Sequence, residues 1–378
     1  MTIKRLLQQK IEGVLFKGKA IILYGARQVG KTTLINEIRK KYPASLYLNC
    51  DEPDIRQALT GATSTSLKAY LGEAKLVFID EAQRVKDIGL TLKLLVDTYP
   101  AIQVVATGSS SFELSNQVVE PLTGRSYEFY LYPFSVAELN ASYSPLEWSR
   151  LLERRLLYGM YPAIVAEEGQ VDEELKALAR SYAYKDVLQF EDIRRPDVLE
   201  KLLSALALQI GNEVSYNELA RMLGVNRVTI EKYITVLEQA FIIFRLKPYS
   251  RNPRKELAKL RKIYFYDTGM RNALINNLNP LSRRTDAGVL WENFWISERM
   301  KYNRNRGSDV PGYFWRTYGQ QEIDYVEDRQ GAVSGFECKW STEKNTRIPS
   351  EWKALYPTAP LTIVTPANFL VTVTAHEV

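Results

Sequence analysis

The chain has 378 residues, 46% hydrophobic and 25% charged, a balance typical of globular proteins and a length that suits two or three domains. Its single histidine, His376, and its two distant cysteines, Cys50 and Cys338, argue against histidine triads, a disulfide scaffold and zinc sites. The net charge of +6 weakly favours an anionic partner. The sequence contains neither an apolar run of the roughly 20 residues that cross a bilayer nor the apolar region of a signal peptide, so we expect a cytoplasmic protein without a membrane partner.

After an amphipathic helix predicted over residues 4–16 and an apolar strand over 20–23 comes a glycine-containing loop. Residues 24–33, YGARQVGKTT, fit the phosphate-binding pattern G-x-x-x-x-G-K-[ST]. We expect Gly25 and Gly30 to adopt positive φ, which brings backbone N–H groups against phosphate oxygens. Lys31 would supply charge to the β- and γ-phosphates, and Thr32 a hydroxyl to Mg²⁺. The predicted ligand is a nucleoside triphosphate with magnesium, bound by Gly25, Ala26, Arg27, Gln28, Val29, Gly30, Lys31, Thr32, Thr33 and Thr107.

Two further strands are predicted to end in polar residues. Residues 75–83, KLVFIDEAQ, indicate a buried parallel strand that ends in Asp80 and Glu81. Asp80 would hold magnesium through its water shell, and Glu81 would orient or deprotonate the attacking water. The strand at 102–106 is followed by Thr107 and Ser109, which either sense the γ-phosphate or cap the next helix.

Four segments together carry a family resemblance. GARQVGKTT, LVFIDEAQ, VVATGSSS and LTGRSYEFYLYPFSVAEL resemble the bacterial and archaeal AAA-type ATPases that are fused to a C-terminal domain of uncharacterised function. The resemblance implies ATP hydrolysis and a sheet in which strand 102–106 lies between the loop strand and the Asp80 strand. It also implies a catalytic arginine at Arg125, which would reach a phosphate of its own or a neighbouring subunit. A surface ion pair is the alternative for Arg125.

Residues 145–180 are helical in pattern and predict a lid or linker, and residues 213–244 have a helix-turn-helix layout. In its second helix we expect Val228, Ile230 or Tyr233, Ile234 and Leu237 to point inward. The basic stretch 247–262, which includes Lys262, would form a wing that contacts DNA phosphates. A structural winged helix without DNA is the alternative. The predicted DNA-binding residues are Asn226, Arg227, Thr229, Lys232, Arg251, Arg254 and Lys255.

The last third of the chain carries three acidic residues in a suggestive order. Glu292 lies on the apolar stripe of a helix at 289–302, Asp324 lies in a strand at 322–327, and Glu337-Cys338-Lys339 lies in a strand at 332–340. This order is that of a PD-(D/E)xK nuclease core, to which the family's C-terminal domain is similar. Asp324, Glu337 and the Cys338 carbonyl would hold Mg²⁺ or Mn²⁺, and Glu292 would complete the shell. Lys339 would polarise the water or stabilise charge at phosphorus. Alternating charges on a solvated strand also produce E-x-K, and such a scaffold can persist as a binding module.

The predicted fold class is α/β: a P-loop NTPase parallel sheet with helices on both faces, then a helical lid, a winged helix and an α/β restriction-endonuclease-like domain. The predicted domains are residues 1–140, 141–200, 201–262 and 263–378. The predicted function is an ATPase whose nucleotide state controls a DNA-binding, DNA-cleaving C-terminal half. The alternatives are a switch that binds DNA without cleaving it and a protein scaffold, and a homo-oligomer or a partner protein is expected.

Overall fold

The computed structural model describes residues 3–108, 120–167, 169–182, 187, 193, 195–250, 261–308, 310–317, 319–341 and 348–374. The chain divides into two compact units. The N-terminal unit comprises Thr2–Pro133 and Gln239–Phe241, and the C-terminal unit comprises Phe134–Glu238 and Ile242–Val378. The segments predicted as lid, winged helix and nuclease-like domain therefore belong to one compact unit.

The N-terminal unit alternates strands and helices. Its strands are β1 (Ala20–Gly25), β2 (Leu46–Asn49), β3 (Leu76–Asp80), β4 (Gln103–Gly108) and β5 (Ser126–Leu131). Its helices, over the described residues, are α1 (Leu7–Val14), α2 (Lys31–Arg39), α3 (Pro53–Leu59), α4 (Ser64–Leu71) and α5 (Ile88–Thr98), with a 3₁₀ turn at Ala82–Arg84.

These strands form a parallel sheet in the order β2-β3-β4-β1-β5. Every residue of β1, β3 and β4 is buried, because helical connections cover both faces of a parallel sheet. The position of β4 between β1 and β3 confirms the predicted strand order. All five strands run in the same direction. The phosphate-binding loop after β1 and the carboxylates at the end of β3 therefore lie together at the carboxyl ends of the strands.

The C-terminal unit begins with helices and continues with mixed elements. The helices are α6 (Val136–Leu139), α7 (Pro145–Tyr158), α8 (Pro162–Ala166), α9 (Val171–Ala179), α10 (Pro196–Leu208), α11 (Tyr216–Leu223), α12 (Arg227–Gln239), α13 (Thr268–Leu274), α14 (Ala287–Arg306), α15 (Ser350–Leu355) and α16 (Phe369–Thr374). The strands are β6 (Glu213–Val214), β7 (Ile243–Pro248), β8 (Arg261–Phe265), β9 (Gly312–Arg316), β10 (Glu322–Arg329), β11 (Ala332–Cys338) and β12 (Leu361–Val364), and Leu281–Arg283 is a 3₁₀ turn.

One sheet runs through the C-terminal unit in the order β12-β11-β10-β9-β7-β8-β6. Its continuity depends on β7 and β9, which pair in parallel through Lys247 with Tyr313 and Pro248 with Phe314. The predicted boundary at residue 262 falls inside β8, a strand of this sheet that pairs with β7 and β6. Residues predicted to belong to a winged helix and to a nuclease-like domain thus share one set of strands.

The long helix α14 lies in the core of this unit and is buried on nearly all sides. It carries the buried Trp291 and Trp295 as well as charged residues. Arg299 pairs with Glu327 on β10 at 2.8 Å, and Lys301 pairs with Glu298 at 2.7 Å. Each buried charge therefore has an opposite charge at hydrogen-bonding distance, as burial requires.

Gly269 is the glycine where we expect substitution to cost most stability. A Cβ on Gly269 of α13 would lie 2.0 Å from the Tyr158 carbonyl oxygen of α7. Since backbone atoms cannot swing aside as a side chain can, Gly269→Ala should lower the free energy of unfolding by about 3 kcal/mol. Gly288, in α14, is the matched control because a Cβ there meets nothing within 4 Å. Urea unfolding should show Gly288→Ala unchanged or up to about 1 kcal/mol more stable. Equal changes in the free energy of unfolding for the two variants would contradict the close packing of Gly269 against Tyr158.

Candidate nucleotide site and C-terminal carboxylate cluster

The loop between β1 and α2 has the geometry of a phosphate-binding loop, with one difference from the prediction. Gly30 has φ of +95° and begins α2, as predicted, but the other positive φ belongs to Gln28, at +59°. Gly25 is needed for another reason, because a Cβ there would lie 2.4 Å from the carbonyl oxygen of Leu131 in β5. The prediction of a positive φ at Gly25 was therefore wrong, and close packing of two strands explains that glycine.

The Lys31 side chain is folded over this loop. Its amine donates to the carbonyl oxygens of Gly25 at 2.9 Å and Ala26 at 3.0 Å, and the residue is 5% exposed. Burial lowers the pKa of Lys31, and the nearby carboxylates of Glu81 and Asp80 oppose that shift. Within the described residues its hydrogen bonds go to these carbonyls, and a buried amine of this kind suits a phosphate, which would replace them as its partner.

Hydroxyl groups surround the carboxylate at the end of β3. Asp80 is 3% exposed and accepts hydrogen bonds at Oδ2 from the Thr32 hydroxyl at 2.9 Å and from the Tyr47 hydroxyl at 2.6 Å. Its Oδ1 accepts from the Thr107 hydroxyl. The structure thus brings together Thr32, Asp80 and Thr107, three residues that the sequence predicted to act at one site.

Glu81 follows in a left-handed conformation, with φ of +52°, which few residues other than glycine adopt. Its backbone N–H donates to the Thr107 hydroxyl at 3.2 Å, and its carboxylate accepts from the Gln83 amide at 2.6 Å. Unusual backbone geometry of this kind is concentrated at functional sites. Ser109, the other predicted sensor, lies outside the described residues.

Arg125 lies at the amino-terminal ends of the strands, opposite the end that carries the phosphate-binding loop. It precedes β5 directly, and its Nε donates to the Asp97 carboxylate at 2.7 Å. Because Ser126 pairs with Ala20 at the start of β1, the length of β1, about 17 Å at 3.3 Å per residue, separates Arg125 from the loop. Arg125 therefore cannot reach a phosphate bound by its own subunit, and its role in a neighbouring subunit stays a prediction.

The three acidic residues predicted in the C-terminal unit do lie near one another, but around a lysine. Lys262 of β8 is 2% exposed, lies 3.4 Å from Glu292 of α14 and also pairs with Glu322 of β10. Glu292 accepts a hydrogen bond from the Tyr264 hydroxyl at 2.6 Å. Lys262 was predicted to be part of a basic wing on the surface, and that prediction was wrong because its ammonium group neutralises buried carboxylates.

Asp324 and Glu337 complete this group, which we call the carboxylate cluster: Lys262, Glu292, Glu322, Asp324, Glu337 and Lys339. Asp324 accepts from the Cys338 backbone N–H at 2.8 Å, and Lys339 donates to Glu337 at 2.6 Å. Burial raises the pKa of Asp324 well above its usual value, and the charges of Glu292 and Glu337 add to that shift. Among the described residues, however, no group of three or more His, Cys, Asp or Glu could hold a metal ion. The predicted metal site of Glu292, Asp324 and Glu337 is not formed here.

Helices α11 and α12 are joined by a short turn at Gly224, which ends α11 with φ of +65°, and their use as a DNA-binding helix-turn-helix stays a prediction. Asn226 accepts from the Thr229 N–H at 2.7 Å and hydroxyl at 2.9 Å, so both side chains are occupied in capping α12. Ile230, Tyr233, Ile234 and Leu237 are buried as predicted.

The exposed residues of this motif differ in part from the prediction. Val228 was predicted to point inward but is 72% exposed. Arg227 and Lys232 are exposed, as a surface that faces an anionic partner requires. Arg251, Arg254 and Lys255 lie outside the described residues.

Comparisons with known proteins divide the chain into three matched segments. Residues 17–140 match the family described as AAA domain, residues 149–281 match a Domain of unknown function (DUF8612), and residues 287–377 match another (DUF4143). The Walker-type ATPase of Pyrococcus abyssi shares the fold, with a TM-score of 0.51 at 15% identity over 72% of this chain and 96% of that one. Residues 17–140 therefore match an AAA family model and have the P-loop NTPase fold, and we refer to them by that match as the AAA domain.

Relatives extend beyond the AAA domain but carry no assigned activity. An uncharacterised protein of Mycobacterium tuberculosis is 28% identical over 336 residues, which cover 87% of this chain and 72% of that protein. An uncharacterised protein of Methanocaldococcus jannaschii is 26% identical over 330 residues, which cover 79% and 74% of the two chains. Within the described residues no helix is long and apolar enough to cross a membrane.

The residues of the AAA domain fit a magnesium ion bound together with a nucleotide. Thr32 and Asp80 offer oxygen atoms 2.9 Å apart at the N-terminus of α2. Magnesium takes one or two protein oxygens and completes its shell with water and phosphate, so a cage of several carboxylates is not needed.

Sequence reasoning missed two residues that the structure places at these sites. Tyr47 was hidden in an ordinary strand, LYLN, and its contact with Asp80 depends on β2 being the neighbour of β3. Lys262 was hidden among basic neighbours. The apolar residues that follow it, Ile263 to Phe265, were a signal that the lysine belongs to a buried strand.

Proposed function

We propose that this protein binds and hydrolyses ATP with magnesium, and that its nucleotide state controls DNA binding by the C-terminal unit. The observation that carries the ATPase proposal is the convergence of Lys31, Thr32, Asp80 and Thr107 at one edge of the sheet. Lys31 would bind the β- and γ-phosphates, and Thr32 and Asp80 would hold Mg²⁺, whose charge would offset that of the phosphates. Glu81, held by Gln83 and by Thr107, orients the attacking water.

Glu81→Gln tests this assignment, because glutamine keeps the size of the side chain but cannot accept a proton. We expect ATP hydrolysis to fall by about 100-fold, while ATP binding stays within a factor of about three, since Lys31 and the loop carry the binding. Phosphate release and equilibrium titration with ATP measure the two effects.

Glu73→Gln is the matched control, because its fully exposed carboxylate lies in the same unit and makes a long ion pair, 3.9 Å, with Lys68. It should leave both measurements unchanged. Hydrolysis that persists in Glu81→Gln at the normal rate would remove Glu81 from the proposed mechanism.

The proposal of DNA binding is supported by the geometry of α11 and α12 together with the charge of their exposed surface. Arg227, in the first turn of the second helix, is exposed and projects from the end of a helix-turn-helix that enters the major groove in proteins of that type. The net charge of +6 suits a polyanionic partner.

Reversal of one charge on this surface should weaken binding to duplex DNA. We expect Arg227→Glu to lower the affinity by about tenfold and to reduce the dependence on salt by about one charge. Lys353→Glu, at an exposed position of α15 in the same unit, is the control and should have no effect. Titrations with and without ATP would test control by nucleotide, and an affinity that is indifferent to ATP would contradict that part.

Cleavage of DNA is the alternative activity of the C-terminal unit. Lys262 argues against it, because this buried lysine pairs with carboxylates of the cluster that a metal ion would need. We propose that the C-terminal unit binds DNA without cutting it. Metal-dependent nicking of plasmid by the wild type, lost in both Asp324→Ala and Lys339→Ala, would establish the cleaving alternative. If neither binding nor nicking is detected at low salt, the protein-scaffold alternative stands.

A further inference from the structure

Tyr47 has a position in the AAA domain that the proposed mechanism does not use. Its hydroxyl donates to Asp80 Oδ2 at 2.6 Å, the same oxygen that accepts from Thr32. Tyr47 belongs to β2, whose register pairs it with Phe78, two residues before Asp80 on β3. The phenol therefore reaches the carboxylate from β2, a strand outside the phosphate-binding loop.

The ring of Tyr47 is also held in place. The Arg39 guanidinium lies over it at 4.6 Å from the ring centre, a cation–π contact. Arg39 follows Thr32 by seven residues on α2, so the two lie on one face of that helix. Tyr47 is thus fixed between the last turn of α2 and the carboxylate at the end of β3.

The three hydroxyl groups that donate to Asp80 would behave differently when a nucleotide binds. Thr32 would turn an oxygen lone pair to Mg²⁺, and Thr107 would turn to the γ-phosphate in its predicted role as a sensor. The proposed mechanism gives the Tyr47 hydroxyl no contact with the ligand, so this hydroxyl can go on donating to Asp80 when those of Thr32 and Thr107 change partners. Without the Tyr47 hydroxyl, the buried Asp80 carboxylate would then lose all three of these donors and could rotate about its Cβ–Cγ bond.

We infer that Tyr47 is a positioning residue, which holds the Asp80 carboxylate in the orientation that binds magnesium together with ATP. The inference rests on the proposed ATPase function and adds to it a residue outside the loop and outside the strand of Asp80. Groups that orient a metal's ligands typically change the affinity for the metal by 10- to 100-fold, by the general behaviour of such partners.

The test is the effect of magnesium on ATP binding, measured without hydrolysis. A fluorescent ATP analogue is titrated in excess Mg²⁺ and again in excess EDTA, and the ratio of the two affinities is compared between variants. Tyr47→Phe removes one oxygen and keeps the ring on Arg39. We expect its ratio to fall by about tenfold, while the affinity in EDTA stays that of the wild type.

Tyr99→Phe is the control, since its hydroxyl donates at 3.0 Å to the Ser64 carbonyl in the same unit and has no contact with Asp80. An unchanged ratio in Tyr47→Phe overturns the inference and leaves the proposed ATPase intact. A loss of affinity in EDTA, or an equal fall of the ratio in Tyr99→Phe, also overturns it, because the effect would then be one of folding. If the wild type binds no nucleotide under either condition, the proposed function fails and the inference with it.

Discussion

Replacement of Lys31 by alanine should abolish measurable ATP hydrolysis, with a fall of at least about 100-fold in turnover at saturating ATP. The amine lies against the loop carbonyls of Gly25 and Ala26, and the structure describes no carboxylate hydrogen-bonded to it. Its charge is thus available to the phosphates, where negative charge accumulates in the transition state. The affinity for ATP should fall as well, because the same charge acts in the ground state.

Lys41→Ala is the control for that experiment. Lys41 follows α2 and pairs on the surface with Glu12 at 2.7 Å, so its loss should leave both turnover and the unfolding midpoint nearly unchanged. Circular dichroism of Lys31→Ala should match the wild type, because alanine is a good helix former at the first position of α2. A Lys31→Ala variant that folds and still hydrolyses ATP would refute the nucleotide site.

The nucleotide site could be predicted because its parts are local in sequence. Strand, loop and helix follow one another within residues 20–39, and the pattern of Gly30, Lys31 and Thr32 has few other uses. The role of Gly25 could not be predicted in the same way, since its neighbour Leu131 is more than a hundred residues away. The contact of Tyr47 with Asp80 depends on strand order, which the resemblance supplied only for β1, β3 and β4.

The C-terminal unit shows where pattern reasoning stops. The inward position of Glu292 on α14 was predicted and is confirmed by its burial. Lys262, the partner of Glu292, was not predicted, because helical periodicity shows that a charge is buried but not which residue neutralises it. Lys262 belongs to β8, and only the pairing of β8 with β7, and of β7 with β9, brings it into the same sheet as Glu322 on β10.

Lys262→Met should therefore destabilise the C-terminal unit rather than weaken DNA binding alone. Burial by itself would lower the pKa of Lys262, but the charges of Glu292, Glu322 and Asp324 outweigh it and raise the pKa, so the lysine stays charged at neutral pH. Methionine has similar length and no charge. It would leave the buried Glu292 and Asp324 and the partly exposed Glu322 without their cation, at an expected cost of about 3 kcal/mol in the free energy of unfolding.

Lys247→Met separates this effect from the loss of a basic side chain as such. Lys247 is on β7, next to the residue that pairs with Lys262, and its side chain is exposed. Denaturant unfolding should place Lys247→Met within about 0.5 kcal/mol of the wild type, and Lys262→Met far below it at pH 7. Lowering the pH should narrow the gap, because protonation of the carboxylates removes the charge that Lys262 compensates. A Lys262→Met variant as stable as Lys247→Met, with weakened DNA binding, would return Lys262 to the surface wing that the sequence predicted.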